Sequence, residues 1–151
     1  MDMALVFGVI FSVIVIGFVI AFAVPLIMNS GCNQQQLQMS SVLNELKNKV
    51  SDVYLLSKDS TIQYTLNIPG SSKICFLDAT ADNNPTEGWN VDDTRRQMIK
   101  DSQYNVWYTD CSGEYGKSIA HLSHETGKSF CMQTGKIWLE NIGSSVEVSR
   151  A

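Results

Sequence analysis

Polar side chains are almost absent from the start of this chain. From Met3 to Met28 it reads MALVFGVIFSVIVIGFVIAFAVPLIM, 26 residues without a charge, and the first charged residue after Asp2 is Glu45. About 20 apolar residues in a helix suffice to span the roughly 30 Å hydrocarbon core of a bilayer, so this segment is long enough to cross a membrane. Apolar residues fall on every side of it, which on a helix means that every face is covered by lipid or protein. Gly8 and Gly17 interrupt the β-branched bulk and would permit close helix contacts; Pro25 is expected to kink the helix or free a carbonyl. A secretory signal would show a basic start, a shorter apolar run and a small-residue cleavage site. None of these is found here, and the segment is expected to be retained.

From Asn33 to about Ser57 the chain turns polar but keeps a helical rhythm. Leu37, Met39, Val42, Leu43, Leu46, Val50, Val53 and Tyr54 approximate a stripe at spacings of three and four. This predicts an amphipathic helix continuing the first, with Asn29-Ser30-Gly31 as a point of interruption. Beyond Lys58 the pattern shortens to strand-like runs separated by turn residues: IQYTLNI, Pro69-Gly70, KICFLDA, then the loop TADNNPTEGW. Asn90 to Lys100 reads as a short helix capped by Asn90 or Asp92, and YNVWYT as a strand. The runs KSIAHLS, SFCMQ, KIWLEN and SVEVS, with turns at Thr134-Gly135 and Ile142-Gly143-Ser144, predict an antiparallel meander. The organisation expected is therefore an apolar helix over 1–31, its amphipathic continuation over 32–58, and a small antiparallel β-rich head over 59–151, an α+β fold.

Charge and chemistry narrow the function. The net charge is −4, and Arg95, Arg96 and Lys100 stand among Asp92, Asp93 and Asp101, so no basic face exists for nucleic acid. His121 and His124 are three apart, a spacing that in a strand puts them on opposite faces, and no third ligand has metal-site spacing. Asp78, Asp82, Asn83, Asn84 and Glu87 form an oxygen-rich loop that departs from the EF-hand spacing. Tyr104, Trp107, Tyr108 and Trp138 are read as core aromatics rather than a ligand platform. No nucleophile signature or glycine-rich phosphate loop is present. Neither enzymatic activity nor a cofactor is expected.

Cys32, Cys75, Cys111 and Cys131 all follow the apolar segment at spacings that fit neither a zinc site nor a CxxC pair, which points to two disulfides formed in an oxidising compartment. Four cysteines allow three pairings. The favoured one joins Cys75 to Cys131, each within a strand-like run, and leaves Cys32 with Cys111.

An apolar helix at the very start, running into an amphipathic helix over Met3 to Tyr54 and then a β-rich head, resembles the type IV pilin superfamily, in particular archaeal pilins and archaellins. The tail FCMQTGKIWLENIGSSVEVS and the upstream KICFLDA are similar to heads of archaeal surface proteins of this type. The early helix offers Leu5 and only Asp2 where bacterial pilins carry an acidic residue, which favours the archaeal branch. The resemblance implies a lollipop-shaped subunit that is membrane-inserted before assembly and then polymerises with copies of itself into an extracellular helical filament on the cell surface, used for adhesion or attachment. The helix carrying Val6, Ile10, Val13, Gly17, Ile20, Val24 and Pro25 would form the filament core, with the heads outside. The alternative is a single-pass surface protein with a monomeric binding or sensing head. A simple anchor usually has flanking Lys or Arg, and the run Gln34-Gln35-Gln36-Leu37 has none.

Overall fold

In the computed structural model, which describes residues 3–77, 93–124 and 129–151, helical hydrogen bonding runs from Met3 to Tyr54 as α1. The helix passes through Pro25 and, contrary to expectation, is not interrupted at Asn29-Ser30-Gly31. The remaining elements follow in the order β1 (Thr61–Leu66), β2 (Lys73–Phe76), α2 (Asp93–Ser102), β3 (Val106–Asp110), β4 (Gly113–Lys117), β5 (Leu122–His124), β6 (Phe130–Met132), β7 (Gly135–Asn141) and β8 (Val146–Arg150), giving an α+β chain. Two compact units are distinguished, Met1–Gln34 and Gln35–Ala151. The polar half of α1 thus folds with the sheets.

Within that second unit the helix presents Met39, Leu43, Leu46, Val50 and Val53, all buried. Their spacing of four, three, four and three keeps them on one side of a 3.6-residue helix. Leu37, expected in the same stripe, is 73% exposed: two positions before Met39, it lies about 200° around the helix from it.

Two four-stranded sheets share this core, one ordered β1-β7-β8-β5 and the other β4-β3-β2-β6. The first is one-sided. Along β7, Ile137, Leu139 and Asn141 are buried while Lys136, Trp138 and Glu140 are exposed, the period-two alternation of a half-buried strand. In the second sheet β2 and the start of β3 are covered on both faces. Ile74, Phe76 and Val106 join the helix and the first sheet in the main core. Cys75 and Trp107, alternating with them, join Leu77, Ile99 and Tyr104 in a second cluster beneath α2.

Several expectations need correcting. The C-terminal strands are not a simple antiparallel meander: β5 pairs parallel with β8, β6 leaves for the second sheet to pair with β2, and only β7 and β8 form a hairpin. The run KSIAHLS is not one strand: Lys117 ends β4, and only Leu122 and Ser123 belong to β5. The strand β4, GEYGK, was not predicted, because two glycines and two charges mask it. It forms because the two-residue loop Cys111-Ser112 folds it back on β3, with Asp110 opposite Gly113. The Asp110 carboxylate accepts hydrogen bonds from the backbone N–H groups of Ser112 and Gly113 and from the Ser112 hydroxyl, an Asx-type turn. Gly116 of β4 is required by close approach, since a Cβ there would clash with the Tyr104 ring. The oxygen-rich loop and the expected caps Asn90 and Asp92 lie outside the described residues.

Candidate functional site

The most unusual surface is that of α1 itself. Val6–Pro25 forms a 20-residue stretch of mean hydropathy 2.9, none of it buried within the molecule, and it is long and apolar enough to cross a membrane. At 1.5 Å per residue such a stretch rises about 30 Å, which matches a bilayer core. Val6, Ile10, Val13, Ile20 and Val24 are all exposed, and with Gly17 their spacing of four, three, four, three and four puts them within an arc of about 80°. Nothing lies within 4 Å of the position a Cβ would take at Gly17 or Gly8, so both leave shallow dents in the helix surface. Pro25 does not share the face with the other six; it lies about 100° round from Val24.

A second stripe was overlooked in the sequence although its spacing is legible there. Phe7, Phe11, Phe18 and Phe22 are all exposed and fall within about 60° of one another on a regular helix. The Phe18 and Phe22 rings stack with centroids 5.5 Å apart. The one hydroxyl in the stretch, Ser12, donates to the Gly8 carbonyl at 2.7 Å, so it presents no unmet donor to an apolar surrounding. The helix therefore offers an aromatic ridge and a separate, shallower aliphatic face containing Gly17.

The cysteines are all oxidised. Cys75 and Cys131 stand directly opposite each other on β2 and β6 and are bonded across the strands; Cys32 and Cys111 are disulfide-bonded as well, and no cysteine is free. Closing a loop of 56 residues through Cys75–Cys131 contributes about 4 kcal/mol in the chain-entropy picture.

The remaining candidates are structural in their contacts. His121, at a positive φ of 65°, stacks on Tyr54 with ring centroids 3.8 Å apart, whereas His124 approaches the Ser129 hydroxyl. Among the described residues no group of three His, Cys, Asp or Glu could hold a metal. Trp107 is buried, Tyr104 and Tyr108 are half-buried, and Trp138, expected in the core, is 39% exposed because it sits between the inward residues Ile137 and Leu139. Burial pushes the Tyr64 phenol up to about 12, helped by the negative Glu45 and a hydrogen bond to it. Tyr108 is raised as well, by burial first and then by Asp110 and Tyr115. On the surface Arg95 and Glu114 form an ion pair at 3.1 Å. No family profile, curated protein or solved structure matches this chain.

Proposed function

We propose that this chain is a structural subunit of an extracellular filament of the archaeal type IV pilus kind, in which the apolar helices of many copies pack into a central bundle and the α+β heads form the outer surface for adhesion or attachment. It is not an enzyme in this reading. The observation that carries it is the all-round exposure of Val6–Pro25, an apolar surface none of which is covered by the rest of the molecule. Lipid and a bundle of like helices make the same demand for an uncharged surface. One segment can thus serve as the membrane anchor before assembly and as the polymer core after it. The disulfide-bonded head suits an oxidising exterior.

Electron microscopy of material sheared from native cells, with mass spectrometry of the polypeptide and its N-terminus, tests the reading. Filaments built from this chain are the expected result. Recovery of the protein only as a detergent-soluble monomer from membranes would replace it with a single-pass anchor displaying a binding or sensing head.

A further inference from the structure

The outward face of the first sheet carries one tryptophan among polar side chains. On β1, Thr61, Gln63 and Thr65 are exposed while Ile62, Tyr64 and Leu66 turn inward. On β7, Lys136, Trp138 and Glu140 are exposed while Ile137 and Leu139 are buried, and on β8 Glu147 and Ser149 alternate with the buried Val146 and Val148. Strand register sets these outward residues in rows. Trp138 stands between Gln63 of β1 and Ser149 of β8, and the next row places Glu140 between Thr61 and Glu147. Among the outward residues of these three strands, Trp138 is the only aromatic or aliphatic one, and it lies on the middle strand.

The stability of the sheet accounts for neither the ring nor the charges beside it. An outward aromatic stabilises a sheet through an aromatic or β-branched partner directly across the strands, whereas Trp138 faces Gln63 on one side and Ser149 on the other. Among the described residues its ring stacks on no other and its indole N–H meets no acceptor. Glu140 and Glu147 stand directly opposite each other, an arrangement of like charges that destabilises a strand pair. Neither has an ion-pair partner among the described residues. Adjacent rows thus hold an exposed ring and a pair of strong acceptors that folding leaves unused.

We infer that this face is a binding site for a neutral glycan, with Trp138 as its stacking platform. A pyranose ring presents C–H groups on one face and hydroxyls round its edge. The electron-rich face of an indole attracts the former, and a carboxylate accepts from hydroxyls with the strength of a charged acceptor. Glu140 and Glu147 supply such acceptors beside the ring, while the Gln63 amide and the Lys136 ammonium, from positions flanking Trp138, supply donors. With neighbouring strands about 4.8 Å apart, three strands make a platform about 10 Å wide, which suits a short run of sugar units laid flat. The paired carboxylates repel sulfated or phosphorylated polymers, and a single open ring forms no cage for a quaternary ammonium group. Attachment through this face rests on the filament reading, in which one platform per head repeats along the polymer and gains avidity; recognition by a single head does not.

The test presents the full chain, held in a polyoxyethylene detergent that has no sugar headgroup, to an array of neutral, sulfated and amino oligosaccharides. The neutral ones that bind are then titrated while the Trp138 indole N–H is followed by NMR. Preference for neutral glycans is expected, with saturable shifts at Trp138, Glu140 and Glu147. Affinity should fall at least about tenfold in W138T, where the ring is lost but a strand-forming residue is kept, and W138F should retain part of it. E140Q/E147Q should weaken binding while relieving like-charge repulsion, so that its melting temperature is unchanged or higher, an outcome that a merely structural role for the pair would not give. Binding of no neutral glycan, equal affinity in W138T or in E140Q/E147Q, or tighter binding of sulfated or amino glycans overturns the site. Because one head suffices, that result leaves the filament reading standing, and failure to find filaments leaves the site standing.

Discussion

Where α1 ends, the carbonyls of Tyr54 and Leu56 have no further helical turn to satisfy them, and that of Val53 keeps only the Leu56 N–H at 3.0 Å. The buried Asn141 amide supplies donors to Val53, Tyr54 and Leu56 at 3.1, 3.0 and 2.9 Å respectively, while its Oδ1 accepts from the Gly143 N–H at 2.7 Å. One side chain from β7 thus caps the helix and fixes the β7–β8 turn. Asn141→Ala removes the amide donors from the part-buried Tyr54 and Leu56 carbonyls and one of the two donors to Val53, and is expected to cost about 1–2 kcal/mol, read as a lower denaturation midpoint of the full chain in detergent. Asn141→Asp keeps the shape but turns an acceptor toward three carbonyls, and should be the more damaging. Equal tolerance of Asp and Asn would show that packing, not donation, is what matters there.

A titration prediction belongs to the same scale. The folded Tyr64 phenol ionises near pH 12 instead of 10, so the neutral form is favoured in the native state. Its contribution is complete below pH 10 and is lost as pH rises through 12. Phenolate absorbance should show a tyrosine titrating near 12 that is missing in Tyr64→Phe; if Tyr64→Phe instead removed a phenolate signal that appears at the ordinary tyrosine pKa, burial and the Glu45 contact would not be raising it.

Among the elements, α2 is held by its C-terminus. The Tyr104 N–H donates to the Ile99 carbonyl and the Gln103 N–H to that of Lys100, with Gln103 at a φ of 51°. This is the Schellman arrangement, and Ile99 and Tyr104 supply its accompanying apolar contact. The left-handed position normally takes glycine, so Gln103→Gly is expected to stabilise the head by about 0.5–1 kcal/mol, measurable as a higher melting temperature. No change, or a decrease, would mean that the Gln103 side chain is needed elsewhere. Such elements also show what the sequence makes legible. The runs around Leu66, Ile137 and Val148 alternate and are identifiable as strands by period, whereas those around Ile74 and Val106 are short continuous apolar runs bounded by polar or turn residues. The Asp110 turn that creates β4 depends on side-chain to backbone bonds over three residues and leaves no hydrophobic trace. The parallel pairing of β5 with β8 joins residues more than 20 positions apart, beyond the reach of any local pattern.

For the molecule as a whole, the apolar helix is the part most directly written in the sequence, because uncharged length alone specifies it. Lys73, Lys136 and Arg150 lie far apart in the sequence and line one groove at the β6–β7 turn only through strand register, which no local pattern shows. What the helix does depends on whether its faces meet lipid or other helices, and Gly17 separates the two. Lipid accommodates a larger apolar side chain at that position without difficulty, whereas neighbouring helices that approach at a small residue do not. Gly17→Leu makes the segment more hydrophobic, so membrane insertion should be kept, and with it the oxidised, folded head. In a filament bundle the same change fills the dent between Val13 and Ile20 and should reduce sheared filaments at least several-fold. Val13→Glu should impair both insertion and assembly, because it places a charge at the middle of the apolar stretch. If Gly17→Leu left filament yield at the wild-type level, that face would not be the packing face, and the phenylalanine ridge would be the next surface to alter.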